Sequence, residues 1–241
     1  MSPQQRADTI ERLPEYRPSL LRLARYLTHN AVEAEDLVQT TLLAAIEHID
    51  SWQGRGPLKN WLFTILSHQN HRRARNKESP VDHATWEQLA ASAGWAADAA
   101  DVESDRNVRI ELVQDAILKL PEEDREVLLL RDVEHIEGSE AAGMLGLSLP
   151  ALKSRLHRAR LRLLAAVREL SAIPAPPQDL HGGPMTCMEV LERLGDYVEG
   201  SIEPSTAAAI EAHVAGCTRC RQFGNRYAKL IGQLQEIEHN S

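Results

Sequence analysis

Aromatic residues are scarce in this chain, because Phe, Trp and Tyr together make up only 4% of its 241 residues. β-Strands favour aromatic and β-branched side chains, whereas Ala, Leu, Glu and Arg, which are abundant here, favour helices. The composition therefore argues against a sheet-rich fold. We expect an all-α protein.

Long apolar runs are also absent. No stretch approaches the roughly 18–20 apolar residues that a membrane-spanning helix needs, and residues 1–13 lack the apolar core of a signal peptide. We therefore expect a cytoplasmic protein without membrane contact. Because thiols stay reduced in that compartment, the three cysteines are expected to bind metal or to act as redox thiols rather than to form disulfides.

Two segments each carry charges of nearly one sign only, one acidic and the other basic. Residues 78–111 contain eight acidic residues and two arginines, whereas residues 148–168 contain only basic charges. The whole chain has a net charge of -8, but nucleic acid responds to a local patch of positive charge rather than to the total. DNA binding by the basic segment is therefore not excluded.

Composition and helical periodicity divide the chain into five parts. Residues 1–77 and 106–170 have the pattern of two small helical domains, and residues 185–241 form a third small helical unit. The acidic, weakly periodic residues 78–105 are expected to be a linker. Residues 171–184 are rich in Pro and Gly and are expected to be a second linker.

Residues 136–160 have the pattern of a helix-turn-helix. A first helix over Gly138–Leu145 is followed by Gly146, which tolerates the positive φ of a turn. Ser148 can cap the second helix, and Pro150 falls in its first turn, where its missing N–H costs nothing. Polar and basic side chains near or on the outer face of the second helix are expected to contact bases and phosphates; they are Ser148, Lys153, Ser154, Arg155, His157, Arg158 and Arg160. The alternative is an ordinary solvated basic surface.

All three cysteines lie near the C-terminus. His213, Cys217 and Cys220 have the spacing i, i+4 and i+7, which places three ligands on one face of a helix. Cys187, on a preceding helix, can supply the fourth. The set predicts one structural Zn²⁺ whose binding stabilises this small unit.

Two segments resemble the extracytoplasmic function (ECF) sigma factors of bacterial RNA polymerase. Residues 120–132, 145–148 and 153–160 resemble region 4 of this family, which reads the −35 promoter element and contacts the polymerase β flap. Residues 34–45 and 58–62 resemble region 2. The resemblance implies that a region 2 helix binds the β′ clamp helices of the polymerase core through Asp36, Leu37, Gln39 and Thr40. It further implies that the −10 element is bound by Asn60, Trp61, His68, Asn70, Arg72 and Arg73, although Trp61 also fits a core position.

The C-terminal unit resembles the zinc-binding anti-sigma domains, which wrap a sigma factor and block its contacts. The resemblance implies an intramolecular contact between this unit and the sigma domains, and hence regulation by a fused inhibitor. One rival hypothesis is a helix-turn-helix regulator that acts without polymerase, but the region 2 pattern argues against it. A second is an enzyme such as a zinc hydrolase or thiol oxidoreductase; because four protein ligands leave no open position for water on the metal, we expect no enzymatic activity. A thioredoxin-like redox pair of Cys217 and Cys220 is not expected, because no βαβ pattern surrounds them.

Overall fold

The structure, a computed structural model, describes residues 2–52, 54, 56–74, 84–93, 106–170 and 185–237. Every regular element in these ranges is helical, which confirms the predicted all-α class. None of the helices in these ranges is long and apolar enough to cross a bilayer. The expected linker at 171–184, and most of the one at 78–105, lie outside the described residues.

The helices are, in chain order, α1 (Pro3–Arg12), α2 (Arg17–Thr28), α3 (Ala31–Glu47), α4 (Leu58–Ala74), α5 (Trp86–Ser92), α6 (Arg106–Leu118), α7 (Glu122–Leu128), α8 (Gly138–Leu145), α9 (Leu149–Leu170), α10 (Cys187–Val198), α11 (Pro204–Gly216) and α12 (Thr218–Ile237). Leu13–Tyr16 and Ile49–Ser51 are 3-10 turns, and Leu129–Val133 is a π-helical turn. The chain forms two compact units. The first is Met1–Val81 with Ile136–Ser148, and the second is Asp82–His135 with Leu149–Ser241.

The first unit contains α1 to α4 and α8. Helix α3 packs between α2 and α4, and its start is set by Asn30, whose side chain accepts hydrogen bonds from the amides of Val32 and Glu33 as an N-cap does. Periodicity alone predicts one helix over residues 10–27, but the range contains the end of α1, a 3-10 turn that begins beside Pro14, and α2, which begins beside Pro18. A proline inside a helix removes a hydrogen bond, so both lie in a first turn.

The second unit is built around α9. Helices α5, α6 and α7, which precede α9 in the chain, pack against it, and so do α10 and α12, which follow it. Helix α12 buries a stripe that recurs every three or four residues, which is the spacing of one helical face; the stripe consists of Cys220, Phe223, Tyr227, Leu230, Ile231, Leu234 and Ile237. This stripe gives α12 one long apolar face.

The helix-turn-helix elements begin and end where the sequence predicts. Helix α8 spans Gly138–Leu145 and is followed by Gly146 with φ +65°, a value that glycine adopts at little cost. Helix α9 begins at Leu149, so Pro150 lies in its first turn as expected. The local signals of turn and helix start are therefore confirmed.

The acidic segment expected to be a linker contains the short helix α5. Leu89 and Ala90 of this helix are buried, and α5 packs on α9. At its C-terminal end the guanidinium of Arg168 donates to the carbonyl oxygens of Ala91 and Ser92, which satisfies carbonyls that a helix end leaves without partners. Part of the segment is thus folded onto α9.

Candidate metal site and DNA-binding surfaces

The four predicted metal ligands come together in the second unit. Cys187 is the first residue of α10, His213 lies in the last turn of α11, and Cys220 lies in the first turn of α12. Their ligand atoms and the sulfur of Cys217 all lie within 4.8 Å of one another. The prediction that His213, Cys217 and Cys220 share one helix is wrong, because the extended backbone of Cys217 (φ -115°, ψ 102°) ends α11 and separates it from α12.

The distances between these atoms fit a tetrahedral metal ion. Cys187 Sγ lies 3.6 Å from His213 Nε2 and 3.9 Å from Cys217 Sγ, and His213 Nε2 lies 3.2 Å from Cys220 Sγ. With metal–sulfur and metal–nitrogen bonds of about 2.3 and 2.0 Å, tetrahedral ligands are separated by roughly 3.5–3.8 Å. The four residues can hold one metal ion with four protein ligands.

The electrostatics of the thiols differ with their surroundings. Burial raises the pKa of Cys187 and of Cys220. Burial acts in the same direction on Cys217, but hydrogen bonds outweigh it and lower the pKa of that thiol. They come from the backbone amides of Cys220 and Arg219 and from the thiols of Cys220 and Cys187. These amides belong to the first turn of α12, where a helix favours negative charge. Cys217 is therefore prepared to bind as a thiolate.

The residues predicted to bind the −35 element do not share one environment. Ser148 and Ser154 are exposed, and Lys153, Arg155 and Arg158 are partly exposed. His157 and Arg160 are buried, with 4% and 2% of their surfaces accessible. In this conformation these two side chains are not accessible to DNA. Their predicted contact with DNA requires that the helices packed against them move away.

Helix α10 supplies acidic partners to the basic residues of α9. Lys153 Nζ lies 3.1 Å from a carboxylate oxygen of Asp196, and Arg160 Nη2 lies 2.9 Å from one of Glu199. Glu199 also lies 3.6 Å from Arg131. Asp196 of α10 and Glu199, the residue that caps this helix, thus neutralise part of the basic charge of residues 148–168.

Arg160 and His157 lie at the centre of this contact. Arg160 donates two hydrogen bonds of 2.9 and 2.6 Å to Asp132, and its guanidinium lies over the ring of Tyr227 at 5.9 Å from the centroid. The Tyr227 hydroxyl lies 2.8 Å from Nδ1 of His157. A Cβ at Gly195 would lie only 3.1 Å from that same nitrogen, so α10 approaches His157 at the one point where it has no side chain.

The burial of these groups shifts their pKa values. Burial, with the nearby charge of Arg160, lowers the pKa of His157 to about 4, so the imidazole is neutral near pH 7. Burial alone would lower the pKa of Arg160, but the hydrogen-bonded carboxylate of Asp132 raises it, and the guanidinium stays charged. The contact therefore pairs a fixed positive charge with carboxylates beside a neutral histidine.

The residues predicted to bind the −10 element lie on or beside α4 in the first unit. His68, Arg72 and Arg73 are exposed, Trp61 is partly exposed, and Asn70 is 4% exposed. Asn60 donates a hydrogen bond of 2.7 Å to Glu140 of α8. Arg73 contacts Asp36 at 3.0 Å and the carbonyl oxygen of Glu33 at 3.2 Å.

One face of α3 is exposed and includes most of the predicted polymerase contacts. Asp36, Gln39 and Thr40 are exposed there, but Leu37 is fully buried in the core of the first unit. Leu37 supports this face from beneath and has no surface for a partner. Sequence reasoning missed two apolar residues, Val32 and Leu43, which are 77% and 62% exposed; their spacing of four and seven residues from Asp36 was the available signal.

Comparisons with known proteins match the chain in three segments. The sequence models for Sigma-70 region 2 and Sigma-70 region 4 match residues 14–79 and 110–163, and a zinc-finger model matches residues 187–221. The ECF RNA polymerase sigma factor EcfG of Rhodopseudomonas palustris is 34% identical over 165 residues, covering 67% of this chain and 86% of that protein. The RNA polymerase sigma factor YlaC of Bacillus subtilis is 32% identical over 161 residues, covering 65% and 90%.

The chain is also similar to a longer sigma factor and to a sigma factor of solved structure. The ECF RNA polymerase sigma factor SigG of Mycobacterium tuberculosis is 29% identical over 233 residues, covering 86% of this chain and 61% of that protein. A solved structure of the sigma factor RpoE in complex with the anti-sigma factor NepR from Bartonella quintana aligns with a TM-score of 0.47 and 28% identity, covering 69% of this chain and 98% of that one.

Proposed function

Because the chain belongs to the ECF family of RNA polymerase sigma factors, we propose that it is a sigma factor regulated by its own C-terminal module, residues 185–241, which covers the −35 recognition helix α9. As a sigma factor it binds RNA polymerase core and directs promoter-specific initiation. The module acts as a fused anti-sigma domain. It keeps α9 from promoter DNA until it is released.

The contact between α10 and α9 carries this proposal. Asp196 and Glu199 bring two carboxylates to Lys153 and Arg160, which are residues expected to meet phosphates or base edges of the −35 element. Carboxylate and phosphate are both anionic acceptors for such groups. DNA and the module therefore compete for the same side chains of α9.

Helix α12 adds an apolar part to the contact. It packs against α6, α9 and the π-helical turn at residues 129–133, and Leu230, Leu234 and Ile237 of its stripe are buried. These three residues follow the last metal ligand by ten or more positions. The length of this face allows α12 to contact both α6 and α9 of the sigma domain.

The metal joins the two helices that cover α9. Cys187 begins α10 and Cys220 lies in α12, so a metal bound by both fixes their relative position. Three thiolates and one imidazole in closed, four-coordinate geometry are the ligand set of structural Zn²⁺, and we assign zinc to this site. Loss of zinc would loosen α10 and α12 together and uncover α9.

The remaining contacts follow from the family. The exposed face of α3 with Asp36, Gln39, Thr40, Val32 and Leu43 is proposed to bind the β′ clamp helices of the polymerase. Region 4 binds the β flap and the −35 element, and α4 with its preceding loop binds the −10 element. Because all these partners are in the cytoplasm, we place the protein there.

Transcription with purified core polymerase tests the regulatory proposal. The template is a promoter recovered from a random-sequence library by selection with residues 1–170. A full-length chain that carries a protease site within residues 171–184 is compared before and after cleavage, at high and at low dilution. Because a tethered inhibitor acts at an effective concentration near the millimolar range, cleavage followed by dilution should increase transcript output. Equal output before and after cleavage, with zinc retained, would exclude inhibition by docking.

A further inference from the structure

A cleft at the start of α4 is lined in part by a side chain from α8. The cleft has a volume of about 290 Å³ and is lined by Ser51, Trp52, Gly56, Pro57, Trp61, Thr64 and Glu140. Glu140 belongs to the first helix of the helix-turn-helix, whereas all the other lining residues belong to region 2. Among the described lining residues, Glu140 alone is charged.

The carboxylate of Glu140 bonds to Asn60 and lies near the backbone at Gly56. Its Oε2 accepts the 2.7 Å hydrogen bond from the amide of Asn60, and its Oε1 lies 3.7 Å from the position that a Cβ on Gly56 would take. Asn60 is in the first turn of α4 and Glu140 is in the first turn of α8. The hydrogen bond therefore joins the first turns of two helices whose residues are 80 positions apart along the chain.

The same cleft is where single-stranded promoter DNA is expected. Asn60 and Trp61 are the residues that the family resemblance assigns to the −10 element, and an amide donor beside an aromatic ring is suited to a nucleobase. The Nδ2 group has two N–H bonds, and the one that donates to Glu140 is not available to a base or a phosphate. Glu140 and DNA therefore compete for this donor of Asn60 and for the space beside it.

From this geometry we infer that Glu140 masks the −10 surface in the promoter-free protein, so that α8 must leave the start of α4 before single-stranded DNA can bind. The inference rests on the sigma function given above, but it is independent of the C-terminal module. It places a second control on promoter binding. The zinc-bearing module covers the −35 helix, and the carboxylate on α8 covers the −10 cleft.

Binding of single-stranded DNA tests the mask. The probe is a fluorescein-labelled pool of random single-stranded DNA about 20 nucleotides long, read by anisotropy with the full-length, zinc-loaded chain. Glu140→Ala removes a hydrogen bond to a charged group, which shifts the equilibrium toward the open cleft and should tighten binding by about 10-fold. Glu11→Ala, which removes an exposed carboxylate from α1, is the control for the change in net charge.

A double variant separates masking from a merely structural role of Glu140. Asn60→Ala combined with Glu140→Ala should lose the gain, because the open cleft then lacks its donor. A gain equal to that of Glu11→Ala, or a gain that persists without Asn60, would overturn the inference, as would weaker binding by a Glu140→Ala chain that still binds polymerase core. Binding of each variant to polymerase core is measured in parallel. If the wild-type chain fails to bind core, the sigma function fails, whereas intact core binding with no gain for Glu140→Ala refutes the mask alone.

Discussion

Glu199 is the residue whose change most directly tests whether the C-terminal module covers α9. Its carboxylate lies 2.9 Å from Arg160 and 3.6 Å from Arg131, and its side chain is 17% exposed. The change Glu199→Gln keeps the shape of the side chain and removes its charge. We expect the module to release α9 more often, and the chain to bind duplex DNA more tightly.

The size of the effect depends on the hydrogen bonds that Arg160 retains when Glu199 is replaced. A buried cation that loses its last partner costs about 3–5 kcal/mol, but Arg160 retains two hydrogen bonds to Asp132. The loss is then closer to that of a hydrogen bond between charged groups, about 1.5–3 kcal/mol. Because each 1.4 kcal/mol is a factor of about ten, the open fraction should rise by about 10- to 100-fold. The apparent affinity rises with that fraction until the open form predominates.

Fluorescence anisotropy with a random-sequence duplex of about 30 base pairs measures this change, because non-specific binding depends on the exposed basic surface. Glu203→Gln is the matched control, since Glu203 is an exposed residue of the same module whose side chain makes no capping hydrogen bond to α11. The two variants have the same net charge. If they bind the duplex equally, Glu199 does not hold the module on α9 and the reasoning from its contacts is refuted.

Three further predictions concern the metal, the pH and the apolar contact. Metal analysis of the purified chain should find about one zinc per molecule, and Cys217→Ser should lower this content sharply; unchanged content would refute the site. Closure should weaken as the pH falls, because His157 has a pKa of about 4 when buried and about 6.5 when released. The contribution of His157 to the stability of the closed state is then fully present above pH 6.5. It falls by up to about 1.4 kcal/mol per pH unit from there down to about pH 4. Duplex binding at pH 5.5 and 7.5 checks this, and His157→Asn should remove that part of the pH dependence. Leu234→Ala, at a fully buried position of α12, should cost about 2–5 kcal/mol in urea unfolding, whereas a loss near zero would contradict the packing.

Local signals in the sequence predicted the elements well. Gly146 and Pro150 locate the end of α8 and the start of α9 because each acts through its own backbone, without help from the rest of the chain. The four metal ligands were predicted from their chemistry and spacing, and they come together. The path of the backbone between them was not predicted, since nothing local requires Cys217 to be extended.

The environment of the basic residues could not be predicted in the same way. An arginine that faces DNA and one that faces carboxylates have the same sequence pattern, so the sequence predicts Arg160 near or on the outer face of its helix. Its partners Asp132 and Glu199 lie 28 and 39 residues away along the chain. His157 likewise meets Tyr227 over a separation of 70 residues.

By itself, the sequence determined the helical class, the turn of the helix-turn-helix and the metal-ligand set, because propensity, backbone freedom and ligand chemistry belong to individual residues and their near neighbours. Only the tertiary structure decided which charges are covered. The burial of Arg160 and His157 beneath α10 and α12, and the carboxylate of Glu140 against Asn60, depend on distant segments packing together. The strength of these contacts comes from removing water around the paired groups, which packing alone achieves.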